Sequence, residues 1–319
     1  MNKFRKTLFV FSVIFVLWSS LGLAADLQIH FIDVGQGDSI FVISPSGKKL
    51  IIDAGIHPEK DSTWNPFNYI RKLKEDGTID SLGIDYAIIT HPHDDHYKGF
   101  SYLCGKDKDK NDFSITNLFY SVDEQKSYGQ FWKCLQSIKK DTVSSGQIST
   151  RGPPIDLGDE IESTILYPFE PVKVPNKDKN DDSVVLSIKY KNIRILLTGD
   201  ASSKVEAQIL EKNLKSRILK LGHHGSKTAS SKKFLEKVKS ESDFNAVISS
   251  NCEDGKGKTY GHPNKETLER LKATGDVNLY RTDLHGTIVF TTDGESIKIS
   301  TANEDVSEDK LWEPGYKSK

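Results

Sequence analysis

The chain has 319 residues, enough to bury a full core as one large domain or two small ones. Its 44 Lys+Arg against 45 Asp+Glu leave a formal net charge of -1, which excludes attachment to a polyanion by bulk charge and leaves room only for a local basic groove. Its three cysteines, Cys104, Cys134 and Cys252, stand far apart, which excludes a zinc ribbon or a dense disulfide framework. One disulfide is compatible with them, and the sequence does not choose it.

In chain order, Lys3, Arg5 and Lys6 precede an apolar run from Leu8 to Leu17, and small residues follow at Gly22, Ala24 and Ala25. This is the layout of a secretory signal cleaved near Ala24 or Ala25, so residues 1–25 are expected to be a signal peptide and the product secreted or periplasmic. An uncleaved anchor is the alternative, against which the run is shorter than the ~20 residues of a spanning helix. No cysteine follows the run to make a bacterial lipoprotein signal.

"LQIHFIDVGQGDSIFVISP" and "KKLIIDAG" then read as strands joined by tight turns, because β-branched and apolar residues are broken by Gly and Pro. "NPFNYIRKLKEDG" spaces Phe67, Ile70 and Leu73 at helical intervals and stops at Gly77. "IDYAIIT" is a buried strand running straight into "HPHDDH". Further on, "SYGQFWKCLQSIKK" predicts a helix, and "IESTILYP", "DSVVLSIKY" and "IRILLTGD" predict strands. "SRILKLGHHGS" and "FNAVISS" alternate with the helices "SKVEAQILEKNL", "KKFLEKVK" and "NKETLERLKATG", before a closing hairpin in "HGTIVFTTDGESIKIS". Two strand-rich halves punctuated by helices predict an α/β fold of sheets packed face to face with helices outside. "CGKDKDKND" and "NKDKNDD" read as solvated insertions, and the polar tail 303–319 is expected to fray.

The chemistry concentrates at residues 91–96, where His91, His93, Asp95 and His96, with Asp94 between, follow a strand end. Imidazoles and carboxylates are ligands for zinc and similar divalent ions, and a loop can turn such neighbours toward two ions. This His-x-His-x-Asp-His arrangement resembles the signature of the metallo-β-lactamase superfamily, which implies an αββα sandwich of two mixed sheets over residues 27–302. The resemblance implies that Asp53 in "LIIDAG" supports the ligand loop, that Asp200 in "LLTGD" bridges two metals, and that His223 or His224 in "KLGHHGS" completes the second site. "DVGQGDS", "NDDSVVL", "LLTGD", "GHHGS", "GHP" and "RTDLHG", in this order, resemble more closely the hydrolase domain of the ComEC-type DNA-uptake proteins and its free-standing secreted relatives.

One departure stands out: residues 97–199 contain no histidine where many superfamily members place one. The matching segment is "NDDSVVL", where Asn180, Asp181 or Asp182, beside Ser183, would offer oxygen or leave the position to water. Oxygen ligands suit harder ions, so the two expected divalent ions are zinc or manganese. Asp95 and whichever of His223 and His224 is not a ligand are the candidate catalytic groups; His91, His93, Asp95, His96, Asp200 and His224 are the candidate ligands. Asp33, Gln36, Asp38, His262 and Arg281, with Thr282 and Asp283, are candidates for supporting the ligands or contacting substrate, although turn-shaping or structural roles are open for each. His30, His57 and His285 read as surface or core histidines.

Two divalent ions that acidify a water between them imply hydrolysis. The resemblance to the ComEC-type branch implies a phosphodiester substrate, either nucleic acid or a phosphorylated cell-surface polymer of the phosphorylcholine type. Lactonase or β-lactamase-like hydrolysis is the alternative on the same metals, and a non-enzymatic metal-binding protein comes last. Lys227, Lys256 and Lys258 are candidates for a local phosphate-tracking groove. No obligate protein partner is evident.

Overall fold

A computed structural model of the chain describes residues 25–55, 65–104, 112–240, 242–251 and 261–315. The expected signal segment, His57, Cys252, Lys256 and Lys258 lie outside the described residues, apart from Ala25 at the edge of that segment. Among the described residues no helix is long and apolar enough to cross a membrane.

The strands are β1 (Leu27–Phe31), β2 (Ile40–Ile43), β3 (Lys49–Ile52), β4 (Gly83–Ile89), β5 (Ser114–Tyr120), β6 (Ser144–Gln147) and β7 (Ile161–Tyr167). They continue as β8 (Val185–Tyr190), β9 (Ile193–Leu197), β10 (Ile218–Lys220), β11 (Asn245–Ile248), β12 (Asn278–Arg281), β13 (Ile288–Thr292) and β14 (Ile297–Thr301). The helices are α1 (Pro66–Glu75), α2 (Asp94–Tyr97), α3 (Gln125–Tyr128), α4 (Trp132–Asp141), α5 (Ser203–Ile209), α6 (Lys232–Val238), α7 (Lys265–Lys272), α8 (Thr282–His285) and α9 (Glu308–Leu311). An 8-stranded sheet ordered β14-β13-β1-β2-β3-β4-β5-β6 packs on a 6-stranded sheet ordered β12-β11-β10-β9-β8-β7.

The packing follows from alternation along the strands. Phe31, Val42, Leu50 and Ile52 of the first sheet meet Leu186, Ile188, Ile195 and Leu197 of the second in one buried core. The opposite faces are closed by α1 and α4 on the first sheet, through Phe67, Ile70 and Leu135, and by α5, α6 and α7 on the second, through Val205, Phe234 and Leu271. The result is the αββα sandwich expected from the sequence. Local signals hold in α1: the Asn65 side chain accepts from Phe67 N, Pro66 opens the helix, and Gly77 at φ 80° follows its end. β5, β6 and β12 were not among the predicted strands. β6, with sequence SSGQ, carries no apolar alternation and is placed only by pairing with β5 at the sheet edge.

The two halves repeat one pairing scheme. β1–β2 and β2–β3 are antiparallel, then β3–β4, β4–β5 and β5–β6 are parallel. β7–β8 and β8–β9 are antiparallel, then β9–β10, β10–β11 and β11–β12 are parallel. Asp53 follows β3, Asp200 follows β9, the 91–96 loop follows β4 and the paired histidines follow β10, so all four lie beyond carboxyl ends of parallel strands.

Two expectations are corrected. "NKDKNDD" is not a solvated insertion in its second half: Asn180, Asp181 and Asp182 are buried, and Lys179 Nζ donates to Pro92 O at 3.3 Å and Ser127 O at 3.0 Å, strapping the turn to the ligand loop. Residues 303–315 do not simply fray. α9 lies there, Trp312 packs against the core of the second half, and Gly315 N donates to Pro263 O at 2.8 Å. The single described disulfide joins Cys104 to Cys134, linking the turn after α2 to α4.

Candidate metal centre

The 91–96 loop is seated by backbone contacts that only glycine permits. Asp38 N donates to Asp95 O at 3.1 Å and Ala54 N to His96 O at 2.7 Å. A Cβ at Gly37, whose φ is +148°, would lie 2.5 Å from Asp95 O, and one at Gly55 would lie 2.3 Å from the same oxygen. The glycines of "DVGQGDS" and "DAG" therefore clear the seat of the loop.

Asp53 fixes the loop from below. Its carboxylate accepts from Thr90 N at 2.7 Å, Thr90 Oγ1 at 2.6 Å and His96 Nδ1 at 2.7 Å. With Nδ1 engaged, His96 presents Nε2 to the centre. His224 is oriented the same way by the other half, its Nδ1 donating to Ser249 O at 2.8 Å. Ser249 directly follows β11, and no pattern in the sequence marks it.

Two donor groups result. His91, His93 and Asp200 form one, with His91 Nε2 2.9 Å from His93 Nδ1 and 3.8 Å from Asp200 Oδ2. Asp95, His96 and His224 form the other, with His224 Nε2 3.2 Å from Asp95 Oδ2 and 3.4 Å from His96 Nε2. Asp200 reaches this group too, its Oδ1 3.3 Å from His96 Nε2 and its Oδ2 3.3 Å from His224 Nε2. A third grouping, Asp38 with His96 and Asp200, is no ligand set, because Asp38 faces the Nδ1 side of His96, already held by Asp53, and pairs with Lys220 Nζ at 2.5 Å.

These residues fit divalent ions. Nε2 of His96 and Nε2 of His224 approach one another with both Nδ1 atoms occupied, and Asp200 Oδ1 is buried without a well-aligned hydrogen bond. Such a convergence of lone pairs and carboxylates is what a cation stabilises. The protonation balance agrees. Burial alone would lower His96 and His224, but the Asp200 carboxylate, with Asp53 for the first and Asp38 and Asp95 for the second, outweighs it and holds both well above the ordinary histidine value. Burial would raise Asp200, and His224, His96 and His223 instead hold it well below the carboxylate range. Burial holds His91 and His93 low.

His223 and His224 separate in space. The left-handed backbone at both, φ 49° and φ 53°, drives adjacent side chains into different surroundings: His224 is buried among the ligands, and His223 stands at the rim with Nε2 3.8 Å from Asp200 Oδ2 and Nδ1 3.2 Å from Thr228 Oγ1. His262 lies beside them, edge-on to His223 at 5.3 Å and stacked on His224 at 6.1 Å between ring centroids, and burial followed by His224 and His223 lowers it to about 3.

Lys220 was missed by sequence reading. It is fully buried, contacts Asp38 at 2.5 Å, donates to Gly199 O at 3.1 Å and lies 3.9 Å from Asp200 Oδ1. A lysine inside the apolar strand "RILKLG" was the available signal.

Other candidates lie elsewhere. Arg281 is buried with its guanidinium on Asp283 at 2.7 Å and on the carbonyls of Lys310 and Leu311 at 3.3 and 3.1 Å, so it anchors the C-terminal strap, the structural role that the sequence left open for it. Asp181 takes the Ser202 hydroxyl and Lys204 Nζ, and Asp182 takes Asn176, so neither replaces the absent histidine. Asn180 Oδ1 is buried with no hydrogen-bond partner among the described residues. Ser183 Oγ accepts from Asp200 N at 3.0 Å and so positions the acid between the groups. Asp33 accepts from Gly35 N, shaping the turn, and Gln36 Oε1 accepts from Asn251 N at 3.4 Å, joining the β1–β2 turn to the segment after β11. His30 is a buried core residue against Tyr69, and His285 is buried beside Arg281.

Comparison with known proteins gives a consistent picture. The family described as "Metallo-beta-lactamase superfamily" matches residues 32–245. The ComE operon protein 3 of Bacillus subtilis is 28% identical over 289 residues, covering 88% of this chain and 35% of that one. The Competence protein ComA of Neisseria gonorrhoeae is 40% identical over 125 residues, covering 38% of this chain and 17% of that one. The chain thus spans about a third or less of the length of these relatives. Among solved structures, the metallo-beta-lactamase fold protein YhfI of Bacillus subtilis aligns with a TM-score of 0.46 at 12% identity, over 80% of this chain and 96% of that one.

Proposed function

The chain belongs to the metallo-beta-lactamase superfamily, and from that premise we propose that this hydrolase cleaves phosphodiesters, with nucleic acid the leading substrate and a phosphorylated cell-surface polymer second. The observation that carries the reading is the position of Asp200 between two nitrogen-and-oxygen donor groups, His91 with His93 and Asp95 with His96 and His224. The choice of phosphate over lactam or lactone is supported by the six motifs of the ComEC-type branch and by the similarity to the Competence protein ComA of Neisseria gonorrhoeae.

His91, His93, Asp95, His96, His224 and the shared Asp200 would hold two divalent ions, zinc or manganese. When bound there, such ions supply Lewis acidity toward a phosphoryl oxygen and an acidified water. The chain's own part is orientation and hydrogen bonding. Asp53 and Ser249 fix the ring faces of His96 and His224, and Ser183 fixes Asp200. Burial lowers His223, disfavouring its charged form, and its ring at the rim can offer an N–H to substrate oxygen. It is a hydrogen-bond donor more than a store of a proton for the leaving group.

We also place the protein outside the cytoplasm. The supports are the signal-like layout of residues 1–25 and the Cys104–Cys134 disulfide, a bond that persists in oxidising compartments. N-terminal sequencing of exported native material tests this, and recovery of the apolar run in a membrane fraction would show an anchor instead. The activity is tested by metal analysis and a substrate panel of aryl phosphodiester, single- and double-stranded DNA, β-lactam and lactone. Cleavage of lactam or lactone with no diester cleaved would overturn the substrate assignment and leave the metal centre standing.

A further inference from the structure

A cleft of about 500 Å³ opens beside the metal centre, lined by His93, Lys177, Asp178, Lys179 and Lys204. In a chain of net charge -1, three lysines line this cleft with one lining carboxylate, Asp178, and a second, Asp181, paired with Lys204, next to a candidate metal ligand. They come from separate places in the fold: Lys177 and Lys179 from the β7–β8 connection, Lys204 from the first turn of α5. The clustering is therefore a product of folding and not a run of charge in the sequence.

Each lysine is suited to a different part of the task. Lys179 is fixed, donating to Pro92 O and Ser127 O, which leaves one of its three N–H groups for a ligand. Lys204 is 75% exposed and pairs with Asp181 at 3.2 Å, a solvated contact worth little. Lys177 is exposed. Lys177, Asp178, Lys179 and Lys204 make the lining largely ionic in its side-chain ends, and the cleft borders the candidate ligand His93.

We propose that this cleft is a binding track for the phosphates of a nucleic-acid strand that flank the one at the metal ligands, with Lys177, Lys179 and Lys204 as the phosphate contacts. This rests on the phosphodiester reading above, and it assigns the polymer-binding side of the site, which a small diester does not need. Lysines that neutralise phosphates release counterions, so binding through the track weakens as salt rises.

The test is fluorescence anisotropy of the full, metal-loaded protein with a cleavage-resistant phosphorothioate single-stranded oligonucleotide over a salt series. Lys177→Glu/Lys204→Glu should raise Kd at least ~10-fold and lower the salt slope by about 1.4, since each single-strand phosphate contact contributes about 0.7. Lys177→Gln/Lys204→Gln removes the same two cations more gently and should show the same loss of slope. Lys232→Glu/Lys265→Glu, on exposed lysines that pair with Glu236 and Glu269 along α6 and α7, makes the same change in net charge and should bind like the parent. Equal Kd and slope in the cleft and control variants would overturn the track, as would tighter binding of poly(glycerol phosphate) than of oligonucleotide by the parent. Hydrolysis of an aryl diester, measured alongside, separates the two ideas. A parent that binds through the cleft but cleaves no diester loses the activity reading and keeps the track; one that cleaves diesters with unmoved oligonucleotide binding loses the track alone.

Discussion

Asp53 and Asp200 occupy corresponding corners of the two halves, each just beyond the third strand of the same pairing scheme, yet they do opposite work. The Asp53 carboxylate is saturated by Thr90 N, Thr90 Oγ1 and His96 Nδ1. Around Asp200 the one backbone bond, to Ser183, is made by its own N–H, and the carboxylate is left facing imidazoles from both halves. An acid with its lone pairs filled by N–H and O–H donors can only orient a ligand, whereas one with unfilled lone pairs can become a ligand. The surroundings, not the topological position, assign the role.

The largest effect expected from this contrast is that of Asp200→Ala. It should impair both metal positions at once and abolish turnover, read by metal counting after dialysis and by rate. An unchanged metal content would break the shared-ligand assignment.

Next in size is Lys220→Met. The second half carries this buried lysine in β10, where the last residues of β4 are the apolar Ala87, Ile88 and Ile89. Removing it strands Asp38, and breaking a buried pair destabilises by about 3–5 kcal/mol. Chemical denaturation should show this loss, and Lys220→Met/Asp38→Asn should recover a good part of it. A neutral Lys220→Met would mean the pair does not tie the halves together.

Asp53→Asn should have a narrower effect, lowering metal affinity by about 10–100-fold, as for other groups that orient a ligand. The loss should fall on the position served by His96 and spare His91 with His93. Calorimetric titration showing two equally weakened sites would contradict the division of labour.

The mildest test is pH. His96 and His224 have raised values in the metal-free protein, so each must shed a proton to ligate, and affinity should rise by up to about tenfold per pH unit per displaced proton between roughly pH 6 and 8. The stability contributed by those two histidines without metal has the opposite sign. It is full below the ordinary histidine value and is lost as pH rises through their raised values; Asp200, held low, contributes stability that is lost only as pH falls through its own value. A pH-independent metal affinity would count against proton displacement.

Local chemistry in the sequence determined a good deal: the strand ends, the helix that stops at Gly77, and the donor types at 91–96, 200 and 223–224. Those features depend on residue type and near neighbours, which a linear pattern carries. The sequence left His223 and His224 equivalent, left the role of Arg281 open between substrate, ligand support and structure, took "NKDKNDD" for a solvated insertion and passed over Lys220 and Ser249. Each was decided by a partner distant in sequence. Ser249 turns His224 across 25 residues, the strap carbonyls claim Arg281 across about 30, Ser127 tethers Lys179 across 52, and Asp38 meets Lys220 only where the two sheets close on one another. A side chain's role here is set by which lone pairs and N–H groups remain unfilled after packing, and that inventory exists only in the folded chain.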